Sequence, residues 1–184
     1  VDHSDRQLVG DTVEAFLRGL TGPNLYWPGD EVVRGYLSEE AVYRKLARAK
    51  LRMILEAVED HRRGFSPHSR KRLSEQPVVR NECSIEHVMP QEWTRNWPGD
   101  EFDEEGESRN DLVHRIGNLV LVTQSLNSTV SNGAWVDKRQ ALSEHATLLT
   151  TQEVLGDGRS DWDTDSIKRR SLALANEILS IWPV

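Results

Sequence analysis

Four polar residues in this chain are of types that could do acid–base and metal-assisted chemistry together. Glu86 and His87 stand side by side in CSIEHVMPQEW, at the end of a short apolar run and just before Pro90. Asn118 heads a second apolar run, and Asn127 follows nine residues later. Cutting a phosphodiester needs a base to activate water and a cation to stabilise the charge building on phosphorus and on the leaving oxygen. It also needs a group that holds the base in one tautomer. An imidazole, a pair of hard oxygens for Mg²⁺ and an amide supply those parts. Each residue also has a plainer use: His87 as a strand cap, Asn118 as a turn residue after Gly117, Asn127 as a helix cap and Glu86 as a surface acid.

The elements around these residues must bring them together. VVRNECSIEHVM, from Val78, is rich in β-branched residues and reads as extended. IGNLVLV, from Ile116 to Val122, is the clearest strand pattern in the chain. Between them, NWPGDEFDEEGESRND reads as a mobile, solvated acidic loop. Helix-start residues follow the second strand, and a helix is expected through Trp135 and Leu142. Strands Cys83–Val88 and Gly117–Val122 followed by that helix make a ββα unit. Adjacent strand residues face opposite sides. Glu86 and His87 therefore share a site only where the strand distorts or ends, and Pro90 supplies an end.

Helical patterns surround this unit. A capping-box pattern at Ser4–Gln7 opens one helix, which runs to Gly22-Pro23. NLYWPGD reads as a linker. Ser38 is expected to open a longer helix through Val42, Leu46, Ile54 and Val58, ended by Gly64. SPHSRKRL reads as a basic loop or short helix. The last helix is expected over Thr164–Ile181. The fold class is α+β: a mainly helical domain around a small ββα unit. Its parts are a helical segment with basic residues (1–80), the ββα core with the acidic loop (81–146) and a C-terminal helical segment (147–184).

At 184 residues the chain is long enough for one real core. It has no run of about 18 apolar residues, so no membrane span is expected. It begins with Val1 rather than Met, which suggests an excised piece of a longer protein. The single cysteine, Cys83, excludes an internal disulfide and fits a reducing compartment. The net charge of −7 is unevenly spread: Ala41–Arg80 carries +7 and Asn81–Asp111 carries −8. A basic segment of that kind meets phosphate, or is simply a solvated helix face.

IEHVMPQ followed by HRIGNLVLVTQSLNSTVSNGAWVDK resembles the C-terminal nuclease domain of the GmrSD family of modification-dependent (type IV) restriction enzymes, which are HNH, or His-Me finger, nucleases. The likeness runs from about Ile85 to Lys138 and extends more weakly to the basic helix before it and to the closing RRSLALANEILSIWP. It implies that His87 is the general base and that Glu86 and Asn127 hold one Mg²⁺ or Mn²⁺. It also implies that Asn118, in the middle position of the signature, holds the base and the hairpin in place. The implied function is cleavage of DNA, modified or foreign, in bacterial defence in the cytoplasm, with an N-terminal nucleotide-binding sensor domain as partner. Nothing in the chain resembles a P-loop.

Softer expectations concern the substrate. His114 and Arg115 precede the second strand and Lys138 follows Trp135, where each would reach phosphate; Arg70, Lys71 and Arg72 form a basic triplet. Trp93, Trp97, Trp135 and Trp182 read as packing residues. Two other functions fit the same residues: a module of this fold that binds DNA or a partner without cutting, and a ribonuclease.

Overall fold

A computed structural model describes residues 3–22, 25–65, 72–79, 83–123, 133–158 and 161–182. Its helices in chain order are α1 (His3–Arg18), α2 (Asp30–Glu39), α3 (Val42–Lys45), α4 (Arg48–Arg62), α5 (Arg109–Leu112), α6 (Trp135–His145), α7 (Leu149–Gln152) and α8 (Thr164–Ile181). Strands β1 (Cys83–His87) and β2 (Leu119–Thr123) form one antiparallel hairpin, with Cys83 opposite Thr123 and His87 opposite Leu119. The hairpin followed by α6 is the expected ββα unit within a mainly helical α+β domain. No described helix is long and apolar enough to cross a membrane.

The run LVLV is apolar throughout because β2 is buried on both faces. Leu119 and Leu121 join a cluster with Leu51, Leu55, Leu174 and Ile178, on the side of α4 and α8. Val120 and Val122 join Trp93, Trp97, Trp135 and Trp162 on the other side. The strand is thus a partition between two cores. Of the four tryptophans read as packing residues, Trp93, Trp97 and Trp135 are buried, whereas Trp182 is 44% exposed.

Three local expectations are corrected. Ser38 does not open a helix: it sits in the last turn of α2, where its hydroxyl donates to Arg34 O at 2.8 Å. α2 starts earlier, after Gly29, with Asp30 and Glu31 in its first turn, where carboxylates suit the helix dipole. Ile116–Asn118 forms a 3-10 turn, not strand, and β2 begins at Leu119. The acidic segment is folded onto the body. Lys168 of α8 gathers Asp103, Glu105 and Glu107, Arg44 holds Asp111 at 2.6 Å, and Arg115 pairs with Glu107.

The 3-10 turn follows from close packing on α8. The Gly117 N–H donates to Ser171 Oγ at 3.0 Å. Buried Arg170 donates to Gly117 O and Leu119 O on the hairpin and to Thr150 O on α7, at 2.7–2.9 Å. Glu59 of α4, fully buried, accepts from Leu149 N, Thr150 N and Thr150 Oγ1 at 2.9–3.0 Å. Buried polar groups are tolerated there because each is bonded, and α7 is held between α4 and α8 as a result.

A Cβ on Gly117 would lie 2.1 Å from Ile167 O and 2.6 Å from Ser171 N, both backbone atoms. Gly117→Ala is therefore expected to lower stability by about 1–3 kcal/mol or more, as overpacked sites do. Gly35→Ala in α2, where a Cβ meets nothing within 4 Å, should be neutral or slightly stabilising. Urea midpoints of the two variants check this, and equal midpoints would show that the packing against α8 is loose.

Candidate functional site

β1 ends at His87, as sharing a site requires, yet it keeps strand alternation to its last residue. Cys83 and Ile85 pack on the α4 side, and His87 on the same face meets Tyr43 and His114. The His87 and Tyr43 rings are edge-on, with centroids 4.3 Å apart. Glu86, on the opposite face, meets Lys138 of α6 at 3.0 Å. The two neighbours thus lie at one strand tip but are held by different partners.

Asn118 fixes that tip. Its side chain has no exposed surface. The amide donates to Met89 O and Val113 O, each at 2.8 Å, and its oxygen accepts from Met89 N at 2.8 Å and Trp162 Nε1 at 3.1 Å. An amide has two donors and two acceptor lone pairs, so its capacity is full. Asn118 O also accepts from Val88 N at 2.9 Å. Its work here is positional, clamping the turn after β1 to the turn before β2.

His114 faces inward rather than toward solvent. It is 4% exposed, and its Nδ1 lies 3.3 Å from His87 Nε2. One nitrogen donates and the other accepts, so each ring fixes the other's tautomer. Tyr43 stacks on His114 at 5.6 Å and donates its backbone N–H to His114 O. Burial, and then the neighbouring His114, Lys138 and Arg48, push His87 down to about 3. Burial, then Arg44 and Arg48 against the opposing Asp111, push His114 down to about 4. Both rings are neutral at neutral pH.

Lys138 is 1% exposed, so it does not offer its charge to an outside phosphate as expected. It donates to Glu86 Oε1 and, at 2.6 Å, to His87 O. Burial pulls its ammonium below the usual lysine range, and Glu86 opposes that shift. Arg115 is also buried, paired with Glu107. Arg72 is exposed and lies 4.9 Å from the Phe65 ring. Asn127, Arg70 and Lys71 lie outside the described residues.

Tyr43, Arg48 and Trp162 carry no signal in the sequence that ties them to this site. Arg48 lies over the Tyr43 ring, 3.3 Å from its centroid. These residues are far from the hairpin along the chain and stand at no telling spacing. The basic excess of the segment that contains Arg44 and Arg48 is the sole hint.

Among the described residues, no group of three or more His, Cys, Asp or Glu could enclose a metal. A Zn²⁺-type cage is therefore not offered by them. Mg²⁺ asks for less: one or two carboxylates, several waters and substrate phosphate oxygens. Glu86 fits that requirement, since Lys138 engages one carboxylate oxygen and the side chain stays 19% exposed.

The buried histidines make stability pH-dependent. In the unfolded chain they titrate near 6.5. As pH falls below that value the unfolded state binds more protons than the fold, so stability present above it is lost. Urea midpoints should fall between pH 6.5 and 5, above the main carboxylate range, and His114→Gln should flatten the slope. An unchanged slope would show that His114 is not buried in its neutral form.

The family model described as GmrSD restriction endonucleases, C-terminal domain, matches residues 27–177. No match is found among curated proteins. The matched residues take in both strands, the stapled tip, α6 and most of α8. A nuclease-type domain of a restriction endonuclease is the broad function that such a match carries. Since it covers well over half the sequence and the whole hairpin site, the chain belongs to the family of GmrSD restriction endonuclease C-terminal domains.

Proposed function

We propose that this domain is a metal-dependent DNA endonuclease of the HNH type, with His87 as its general base. The observation that supports the reading best is the His87–His114 pair at the end of β1, on a tip clamped by all four side-chain hydrogen bonds of Asn118. A neutral imidazole held in one tautomer is free to accept a proton from water as the water oxygen bonds to phosphorus. The negative charge of a bound phosphate beside it raises its proton affinity above the low value of about 3 that burial gives it in the free domain. The P–O3′ bond breaks, the leaving O3′ takes a proton from solvent water, and 5′-phosphate and 3′-hydroxyl ends remain. His87 is the residue that receives the proton, and His114 is a positioning residue. Glu86, with Asn127 as second ligand, would hold Mg²⁺ or Mn²⁺, which when bound supplies stabilisation of the charge on the phosphate and leaving oxygen. Lys138 orients Glu86 from beneath.

The phosphate contacts expected of Arg115 and Lys138 pass to Arg44 and Arg48, exposed cations beside the histidine pair. The triplet Arg70, Lys71 and Arg72 stays a second proposed phosphate contact, of which Arg72 is the member among the described residues and is exposed. The cellular role is restriction of modified or foreign DNA in the bacterial cytoplasm, under a nucleotide-binding N-terminal sensor domain.

The test is incubation with supercoiled plasmid and Mg²⁺. Nicked or linear product is expected, with 5′-phosphate ends. His87→Ala should lose about 10²- to 10⁴-fold in rate, the usual cost of a general base, while keeping its circular dichroism spectrum. Plasmid bound but never cut, under any divalent cation, would favour the binding module. Cleavage confined to RNA would favour the ribonuclease.

Substrate recognition has its own measurement. Replacing Arg44 and Arg48 together with Ala should weaken duplex binding and flatten its salt dependence. The log–log slope should shrink by about 0.9 for each phosphate that the variant no longer neutralises. An unchanged slope would place the DNA path elsewhere, with Arg72 the next candidate.

A further inference from the structure

The proposed base is covered. His87 is 4% exposed, yet a base that takes a proton from water must touch that water. A side chain over it therefore has to move. Among the described residues, Lys138, His114 and Tyr43 lie against it. Lys138, 1% exposed, donates to His87 O from the inside. The His114 ring stands edge-on to His87, its Nδ1 3.3 Å from His87 Nε2. Neither leaves without stranding a buried polar partner. Tyr43 is held differently. Its ring stands edge-on to His87 and stacks on His114, so one ring covers both imidazoles. It is only partly buried, and its tether to His114 is in the backbone, where the Tyr43 N–H donates to His114 O at 3.1 Å. The ring can turn on its own torsions while α3 stays in place.

Arg48 presses that ring down from outside. Its guanidinium carbon lies 3.3 Å from the ring centroid, its Nη1 donates to Tyr43 O, and the residue is exposed. Its neighbour Arg44 is committed to Asp111 at 2.6 Å, whereas Arg48 pairs with no carboxylate among the described residues. We propose, on the nuclease reading in which Arg48 meets phosphate, that Tyr43 is a positioning residue: it shuts the His87–His114 pair off from water in the free domain and swings aside when a DNA phosphate takes Arg48 from its ring. The competition favours phosphate. An arginine over an exposed ring is held weakly, whereas its paired N–H donors match two phosphate oxygens and both partners are charged. The ring then loses its outer partner, and its turn outward admits the attacking water to His87. The base is thereby uncovered only where a duplex is seated.

The test reads the ring rather than cleavage. Labelled with fluorotyrosine, the whole chain gives fluorine signals from Tyr26, Tyr36 and Tyr43, and Tyr43→Phe identifies the last of them. A short duplex is added without divalent cation while anisotropy follows its binding. As duplex saturates the domain, the Tyr43 signal should move toward those of Tyr26 and Tyr36, which are 57% and 38% exposed. Arg48→Ala should shift it the same way with no DNA present. Diethyl pyrocarbonate reads the cover on the base. His87 should react far more slowly than His145, whose side chain is 58% exposed. Tyr43→Ala should speed His87 about tenfold, as for a group whose local cover has opened, and Tyr43→Phe should restore the slow rate. A Tyr43 signal unmoved by duplex or by the loss of Arg48 overturns the proposal, and anisotropy shows whether DNA binding failed with it. So does His87 reactivity unchanged in a folded Tyr43→Ala variant. A duplex that binds and moves the signal but is never cut under any divalent cation leaves the gate standing and sinks the nuclease reading alone.

Discussion

A single amide holds the site together. Asn118 has no exposed surface and spends every donor and acceptor of its side chain on the turn after β1, the turn before β2 and Trp162. Without those bonds the backbone groups of Met89 and Val113 would be buried and unpaired, a cost comparable to a lost hydrogen bond for each group. Among the described residues the tip of β1 has no further strand to pair with, and this clamp fixes its geometry. The direction of His87 depends on it, and His87 meets His114 and Tyr43 there, which are tied to each other by the Tyr43 N–H to His114 O bond.

Charge is handled by enclosure. The ammonium of Lys138 is buried because Glu86 and the His87 carbonyl receive it. The Lys168 cluster does the same for the acidic segment, in the open. Burial pushes that ammonium away from the charged form and its three carboxylate partners pull it back further. The result is a site lined by neutral rings, with the exposed Arg44 and Arg48 next to it. A net charge of −7 therefore says little about what an approaching phosphate meets.

The sequence makes the hairpin, α6 and α8 legible because each carries a pattern of its own: β-branched runs, helix-start residues, and apolar positions at helical spacing. The helix break at Ser38–Glu40 and the 3-10 turn at Ile116–Asn118 are less legible, because tertiary contacts decide them. Gly117 reads as a turn residue, but only α8 explains why no larger residue fits. Glu86, His87 and Asn118 are legible as a set. The companions of His87 are not. Tyr43 reaches it from another part of the chain, and His114 reads as a surface histidine although its ring is 4% exposed. Lys138 stands out for its charge and reads as pointing the wrong way, because spacing after Trp135 does not say which side of α6 turns inward.

The order in which the clamp is supplied has a consequence for synthesis. Chains emerge from the ribosome N-terminus first, and domains fold as their parts appear. Glu86, His87 and Asn118 are translated well before Trp162, Arg170 and Ser171, the residues that bond to the Asn118 side chain, to Gly117 O and to Gly117 N. A nascent chain stalled after β2 has Glu86, His87 and Asn118 but neither Lys138 of α6 nor the part of the scaffold that α8 supplies. Assembly of the hairpin tip is thus tied to translation of α8, and a polypeptide still being made does not yet hold His87 and Asn118 in their final places.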